Sequence, residues 1–467
     1  MVSNEQADEL IRAQTPRPLT QDDIREDSKL LHLLPTLYMD KGLIDDGMRA
    51  VLELSAVDIP QYSLPAVLIH IANALAGKIC YEHVHPTCFF VRVGSTSTGK
   101  TSTDKSLKAF LSPYFQGVAL PKKEEDAPSE MTSTFYGPTD FASGPGLLRA
   151  IQKQPRCLMV MDEMTYVFAS TRTDGVQQGK THALLELATA AGSHMSRVYG
   201  DTGNNITIDG GVVNIIGNAT PGIFRAFTLD DLSNGLLQRF DFWCYDGPAL
   251  YRQKPSHDKS SANVFTKGLI AIHSAEKPAG RYDLIKDGAV DIGATPDAEV
   301  VLTDYSREIV DDVNAEQDEG VRGILSRRYD AAIKFALIHA GATRAFKQLF
   351  LPLTVADIGY GKMLADILAG WKINVMAGLL SAGEFDNLCR LFVEGAKSAV
   401  TNGKKPTGRL IVNRRPRLKN VPPRQFDDII KALRARKLIT VVDAEGQSTV
   451  YLPLVSEPPD KRRRVLA

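Results

Sequence analysis

Cysteine is scarce and poorly placed for chemistry. Cys80, Cys88, Cys157, Cys244 and Cys389 form no Cys-x-x-Cys pair and no Cys/His cluster, which excludes a disulfide framework and a zinc site and points to a reducing compartment. No apolar run approaches the ~20 residues of a membrane helix. The opening MVSNEQADEL also lacks the basic-then-apolar layout of a signal peptide, so a cytoplasmic protein with no membrane partner is expected. There is no internal repeat and no net charge, 55 Lys and Arg being matched by 55 Asp and Glu.

What is present is a long, ordinary globular chain. Its 467 residues exceed the ~250–300 at which a single core stops growing, so more than one domain is expected. Hydrophobic residues at 43% and charged residues at 24% exclude wholesale disorder and fibrous repeats. The balanced charge hides an uneven distribution: residues 381–467 carry 18 basic and 9 acidic side chains, a surplus of +9 that the first 380 residues offset. A basic end of this kind is a candidate nucleic-acid surface.

Along the chain, residues 1–58 read as an N-terminal arm or loose cap, polar at first and interrupted by Pro16, Pro18 and Pro35. A buried helix follows in SLPAVLIHIANALAGKI, with Ser63 as expected N-cap, Pro65 just inside and His70 as a core histidine. From residue 88 to about 245, apolar runs (CFFVRVG, RCLMVMDE, GVVNIIGN, RFDFWCY) alternate with helical stretches. The expectation is an α/β fold, a parallel sheet with crossover helices. Residues 250–300 read as an irregular connection, and helical periodicity returns from about Thr303. The expected divisions are a core over 59–345, a helical linker over 346–380 and a basic domain over 381–467.

The sharpest motif is VRVGSTSTGKTSTDKSL, where Gly94-Ser95-Thr96-Ser97-Thr98-Gly99-Lys100-Thr101 satisfies G-x-x-x-x-G-K-[ST] between a strand run and a helical stretch. In such a P-loop the backbone N–H groups cradle a nucleotide's β-phosphate. Lys100 would reach the β/γ-oxygens and the Thr101 hydroxyl would ligate Mg²⁺. About sixty residues on, the apolar run Leu158–Met161 ends in Asp162-Glu163, a Walker B pattern. Asp162 would hold the Mg²⁺ shell and Glu163 would polarise a water. The second acid favours ATP hydrolysis over a kinase.

A third apolar run, Val212–Gly217, ends in Asn218, which would either orient the attacking water as a sensor or simply begin the turn before Pro221. Arg239, before the run FDFWCY, is the candidate arginine finger acting in trans; the alternative is a surface arginine paired with Asp241 or another acid. Arg327 and Arg328 are candidate second-sensor residues. Between the second and third runs, SRVYGDTGNNITIDGG has hairpin chemistry. Arg197, Asn204 and Asn205 would face single-stranded DNA if this is a pore loop, and an ordinary surface hairpin is the alternative.

Together these residues give the chain a resemblance to the AAA+ replicative helicase-like ATPases of phages and mobile elements, relatives of superfamily III and minichromosome-maintenance helicases. The resemblance covers roughly residues 60–345 and is carried by GSTSTGKT, YGPTDFASGPGLLRAIQKQPRCLMVMDEM, the hairpin with VVNIIGNATP, and GLLQRFDF. It implies a homo-oligomeric ring, a hexamer in that family, hydrolysing ATP between subunits with single-stranded DNA in the pore. The hairpin tip departs from the family in being neutral where a basic residue is often found.

The end of the chain reads helix, basic loop, helix, then two short strands, the order of a winged helix-turn-helix. Arg414, Arg415, Arg417, Lys419, Arg424 and Arg434 are its candidate duplex-DNA contacts. The expected function is ATP-dependent DNA unwinding or translocation in replication. The alternatives are an ATP-switched helicase loader or origin-binding initiator, and a winged-helix regulator whose oligomer state ATP controls. A primase or a polymerase is a candidate partner for the N-terminal arm.

Overall fold

The computed structural model describes residues 31–57, 59–96, 98–116, 134–169, 175–189, 191–197, 205–226, 235–245, 249–251, 254–278, 288–346, 348–415, 418, 421, 423–435, 439–442 and 449–453. The chain divides into two compact units, Met1–Val375 and Met376–Ala467. The division falls within five residues of the start of the expected basic domain.

In the first unit the strands are β1 (Ile79–Cys80), β2 (Phe89–Gly94), β3 (Arg156–Met161), β4 (Met195–Arg197), β5 (Ile206–Ile208), β6 (Val212–Ala219), β7 (Asp241–Tyr245) and β8 (Val290–Asp291). Four of them form one sheet in the order β3-β6-β2-β7, and every neighbouring pair is parallel. An isolated parallel bridge, Tyr136 to Leu158, extends it beyond β3. The apolar runs are continuous rather than alternating because both faces are covered: β2 and β6 are buried at every residue. The protein is therefore α/β with a parallel sheet, as the alternation of runs predicts.

The helix Pro60–Leu75 lies against this sheet and is buried at nearly every position. It begins four residues before the expected start, with Pro60 in its first turn, Ile59 in place of Ser63 as N-cap, and Pro65 inside it. His70 is a core residue, as expected, and is 1% exposed. Trp243 on β7 fills the centre, its ring set edge-on to Phe90 at 5.7 Å and Trp371 at 5.6 Å.

Two expectations are corrected here. Residues 250–300 contain a helix, Ser260–His273, whose Ala262, Phe265, Leu269 and Ile272 face the core; its serines and glycine dilute the apolar signal without breaking the period. It packs on the helix Leu43–Leu54, where Leu43, Ile44, Met48 and Val51 are buried, so this part of the expected arm belongs to the core. Nor is 346–380 a linker. The helix Val355–Thr401 contributes Leu364, Ile367, Leu368 and Trp371 to the core of the first unit.

The second unit has its own core, in which Leu388, Phe392, Ile411, Ile429, Leu433 and Ile439 are buried together. It contains the helices Gly408–Arg414 and Pro423–Ala435, then β9 (Ile439–Val442) and β10 (Val450–Pro453), which pair antiparallel. A bridge from Thr407 to Val450 adds a third short segment to that pair. The Thr407 hydroxyl also accepts from the Leu410 N–H at 3.4 Å, capping the first of the two helices. Among the described residues no helix is long and apolar enough to cross a membrane, and no disulfide joins any of the five cysteines.

Candidate active site

Because the four sheet strands are parallel, their C-terminal ends share one edge. The loop after β2, the acids after β3 and the end of β6 therefore meet by topology. They enclose a cleft of about 270 Å³ lined by Thr96, Thr98, Gly99, Lys100, Thr101 and Ser102 from the loop and its helix. Asp162 and Glu163 line it just after β3, and Asn218 and Ala219 at the end of β6 with Thr220 after it. The order places β6 between the loop strand and the acidic strand, which sets Asn218 between the other two groups.

The loop turns into the helix Lys100–Leu111 through Gly99, whose φ of +90° an L side chain rarely adopts. Gly94 is required by close approach, since a Cβ there would lie 1.7 Å from the Tyr62 hydroxyl. That hydroxyl sits 3.0 Å from Thr98 Oγ1, and Thr98 Oγ1 donates to the Ser95 carbonyl at 2.8 Å. Lys100 Nζ donates to the carbonyls of Gly94 at 2.5 Å and Ser95 at 2.9 Å, leaving one of its three N–H groups for an acceptor in the cleft. Burial, then the charge of Arg92, holds the Lys100 ammonium below the usual lysine range, and Glu163 opposes the shift.

The first-turn N–H groups of the helix Lys100–Leu111 face no acidic side chain in that turn, so its N-terminus keeps the positive potential of the helix dipole. Asp162 is 61% exposed on its side chain and pairs with Lys105 at 3.5 Å. Glu163 Oε1 accepts from the Thr165 N–H at 3.0 Å, and Oε2 has no partner among the described residues. The Thr101 hydroxyl is likewise without a partner there.

Arg239 lies elsewhere. It ends the short helix Leu236–Arg239 just before β7, and Asp241, the first residue of β7, is in register with Phe90 near the start of β2. Arg239 is thus at the N-terminal edge of the sheet, opposite the cleft, and cannot reach the Lys100 site of its own chain. Its guanidinium donates to the Thr189 hydroxyl at 3.0 and 3.2 Å and to the Gly235 carbonyl at 2.8 Å. Asp241 is not its partner, being paired with Lys372 at 2.6 Å. Burial, then the charge of Arg327, depresses the pKa of Arg239, and among the described residues neither arginine has a carboxylate partner.

Arg328 is 1% exposed and bound to Asp312 at 2.5 Å and Asp366 at 2.7 Å, which makes it an internal strut rather than a second sensor. The hairpin is present: β4 and β5 pair antiparallel, Arg197 opposite Ile206. Arg197 turns back onto the helix Gly175–Thr189, with His182 Nδ1 at 2.6 Å and Glu186 at 3.4 Å. Asn205 is exposed; Asn204 and Ser97 lie outside the described residues.

In the second unit, Arg414 donates to the Ser398 carbonyl at 2.8 Å and hydroxyl at 2.6 Å, and Arg415 faces Glu394 at 3.4 Å. Arg434 is exposed on the helix Pro423–Ala435, whose first turn holds Arg424, while Lys404, Lys405 and Arg409 are exposed before and within the helix Gly408–Arg414. Arg417 and Lys419 lie outside the described residues. Sequence reasoning passed over Arg92, Asp104 and Tyr62 beside the cleft. Arg92 leaves a trace, an arginine inside an otherwise apolar strand run, whereas Tyr62 and Asp104 have no motif spacing to mark them. No group of three or more His, Cys, Asp or Glu that could hold a metal occurs among the described residues. Comparison with protein-family models gives no match, and none of the curated proteins matches the chain.

Proposed function

We propose that the chain is a P-loop ATPase of the AAA+ type that works on DNA as a ring. The observation that carries this reading is the meeting of Lys100, Thr101, Asp162, Glu163 and Asn218 around one cleft at the C-terminal edge of a parallel sheet. Two neighbouring arginines without carboxylate partners among the described residues stand at the opposite edge.

The loop N–H groups, the helix N-terminus and Lys100 would bind the β- and γ-phosphates of ATP. Thr101 and Asp162 supply the hard oxygen donors that Mg²⁺ takes, which shields the phosphate charge when the ion is bound. Glu163 Oε2 would accept the proton of the attacking water, and Asn218 would orient that water. Arg239, with Arg327 beside it, would neutralise charge on the γ-phosphate of a neighbouring subunit. A cation with no carboxylate at an edge remote from its own site is what a trans finger requires.

The second unit fits a winged helix. Its helix pair is followed by an antiparallel strand pair, and Phe426, Ile429, Ile430 and Leu433 of the second helix pack inward. Arg434 and the cations at 404, 405 and 409 remain for duplex phosphates. Unwinding or translocation during replication is the function that joins the two halves.

The test is ATP hydrolysis with and without single-stranded DNA, with sizing at the same salt and a non-hydrolysable ATP analogue. Stimulation by DNA together with a ring-sized oligomer supports the motor. Hydrolysis indifferent to DNA in a ring-sized oligomer favours the loader, initiator or regulator, and a stable monomer removes the trans role of Arg239.

A further inference from the structure

Directly beneath the cleft a pair of opposite charges is sealed from solvent. Arg92 on β2 is 0% exposed, Asp104 on the helix Lys100–Leu111 is 1% exposed and Asn218 is 2% exposed. Arg92 and Asn218 are register partners on adjacent strands. Arg92 Nη2 donates to Asp104 and, at 2.8 Å, to Asn218 Oδ1, while Asn218 Nδ2 donates to Asp104 Oδ2 at 3.2 Å. Arg92 Nη1 reaches the Tyr62 carbonyl at 3.1 Å.

Such a group contributes little to stability. Desolvating two charges costs much of what their attraction returns, and an apolar pair of similar volume often serves as well. Here the network is also incompletely satisfied, because Arg92 Nε and Asp104 Oδ1 are buried without partners among the described residues. What the pair does impose is direction. With a guanidinium on one side and a carboxylate on the other, the Asn218 amide has one acceptable orientation, since its flip would set NH₂ against guanidinium and oxygen against carboxylate. The locked amide keeps one N–H uncommitted, and Asn218 lines the cleft with Lys100 and Glu163.

We infer that Arg92 and Asp104 are positioning residues that hold the Asn218 amide as a hydrogen-bond donor toward a nucleoside triphosphate's γ-phosphate or its attacking water. This rests on the ATPase reading above. Asp104 stands one turn after Lys100 on the same helix, so the lock also ties the end of β6 to the segment that grips phosphate.

The test compares wild type with Arg92→Met/Asp104→Leu, which removes both charges at once, and with Asp104→Asn, which keeps the side-chain volume if the double variant fails to fold. Each is also combined with Asn218→Ala. The readouts are kcat, KM and affinity for a fluorescent non-hydrolysable ATP analogue. Expected are analogue affinity and KM within about threefold of wild type, kcat lower by about 10- to 100-fold, and no further loss when Asn218→Ala is added. A kcat near wild type, or losses that multiply with that of Asn218→Ala, overturns the positioning role and leaves the ATPase reading intact. A wild-type chain that neither binds the analogue nor turns over ATP overturns the ATPase reading, and this inference with it.

Discussion

The hydroxyls of Tyr62 and Thr98 meet at 3.0 Å, joining the first turn of a core helix to the middle of the glycine-rich loop. The same tyrosine hydroxyl occupies the space a Cβ at residue 94 would need. Tyr62→Phe is therefore expected to cost about 1 kcal/mol of stability, the value of one neutral hydrogen bond, and by loosening the loop to weaken ATP-analogue binding by at most about fivefold. Gly94→Ala should abolish binding in the wild-type background and be partly rescued by Tyr62→Phe, because the clash is with the hydroxyl. Binding titrations of the two single variants and the double variant check this, and strict additivity would refute the contact.

Arg239 and Arg327 make a second prediction, since their site lies at the wrong edge of the sheet to serve their own cleft. Arg239→Ala is expected to bind nucleotide normally and lose turnover on the order of 10³-fold. Lys100→Ala should lose turnover outright. Mixing the two inactive variants should restore hydrolysis, because a Lys100→Ala subunit still lends its finger to a neighbour whose own cleft is intact. Retained turnover in Arg239→Ala, or no recovery on mixing, refutes the assignment.

How far the sequence announces all this depends on whether a feature is local. The four parallel strands are legible because each is a predominantly apolar run, and the cleft residues are legible because strand ends in such a sheet converge. Arg92 interrupts its run, yet its partners lie 12 residues away at Asp104 and 126 away at Asn218, a separation no periodicity encodes. The helix Ser260–His273 is obscured for a simpler reason: Thr266 and Gly268 lie on its buried face and Val264 on its exposed one. For the basic end, charge count marks a surface without saying which arginines are already bonded. Arg414 and Arg434 look alike in sequence, yet Arg414 is half-buried and bonded to Ser398 while Arg434 is exposed.

That difference separates stability from binding. Arg414→Ala removes two hydrogen bonds from a charged donor and is expected to cost the second unit about 1–3 kcal/mol. Arg434→Ala, on the exposed face, should leave stability within about 0.5 kcal/mol. It should instead weaken duplex binding across sequences and lower the salt slope by about one unit. Thermal unfolding and DNA titration at several salt concentrations distinguish them. Interchanged phenotypes would place the DNA surface elsewhere.

His70 ties stability to pH. Its Nδ1 lies 2.6 Å from the Ala66 carbonyl, so it is the protonated nitrogen, and Nε2 accepts from the Tyr136 hydroxyl at 3.0 Å. The neutral ring is thereby satisfied, and burial, opposed by the Ala66 bond and aided by the charge of Arg92, lowers its pKa to about 4. An unfolded chain takes up the proton near the ordinary value of ~6.5. Between these two values the unfolded state binds more protons, so stability present above about pH 6.5 is lost as pH falls toward 4, by about 3 kcal/mol in all. His273, lowered by burial and then by Lys78, adds to the loss with the same sign. Denaturant unfolding of the wild type at pH 7.5, 5.5 and 4.5 should show the decline, and His70→Gln should be less stable at pH 7.5 but flatter with pH. An imidazole that titrates near 6.5 in the folded protein would refute the buried neutral pair with Tyr136.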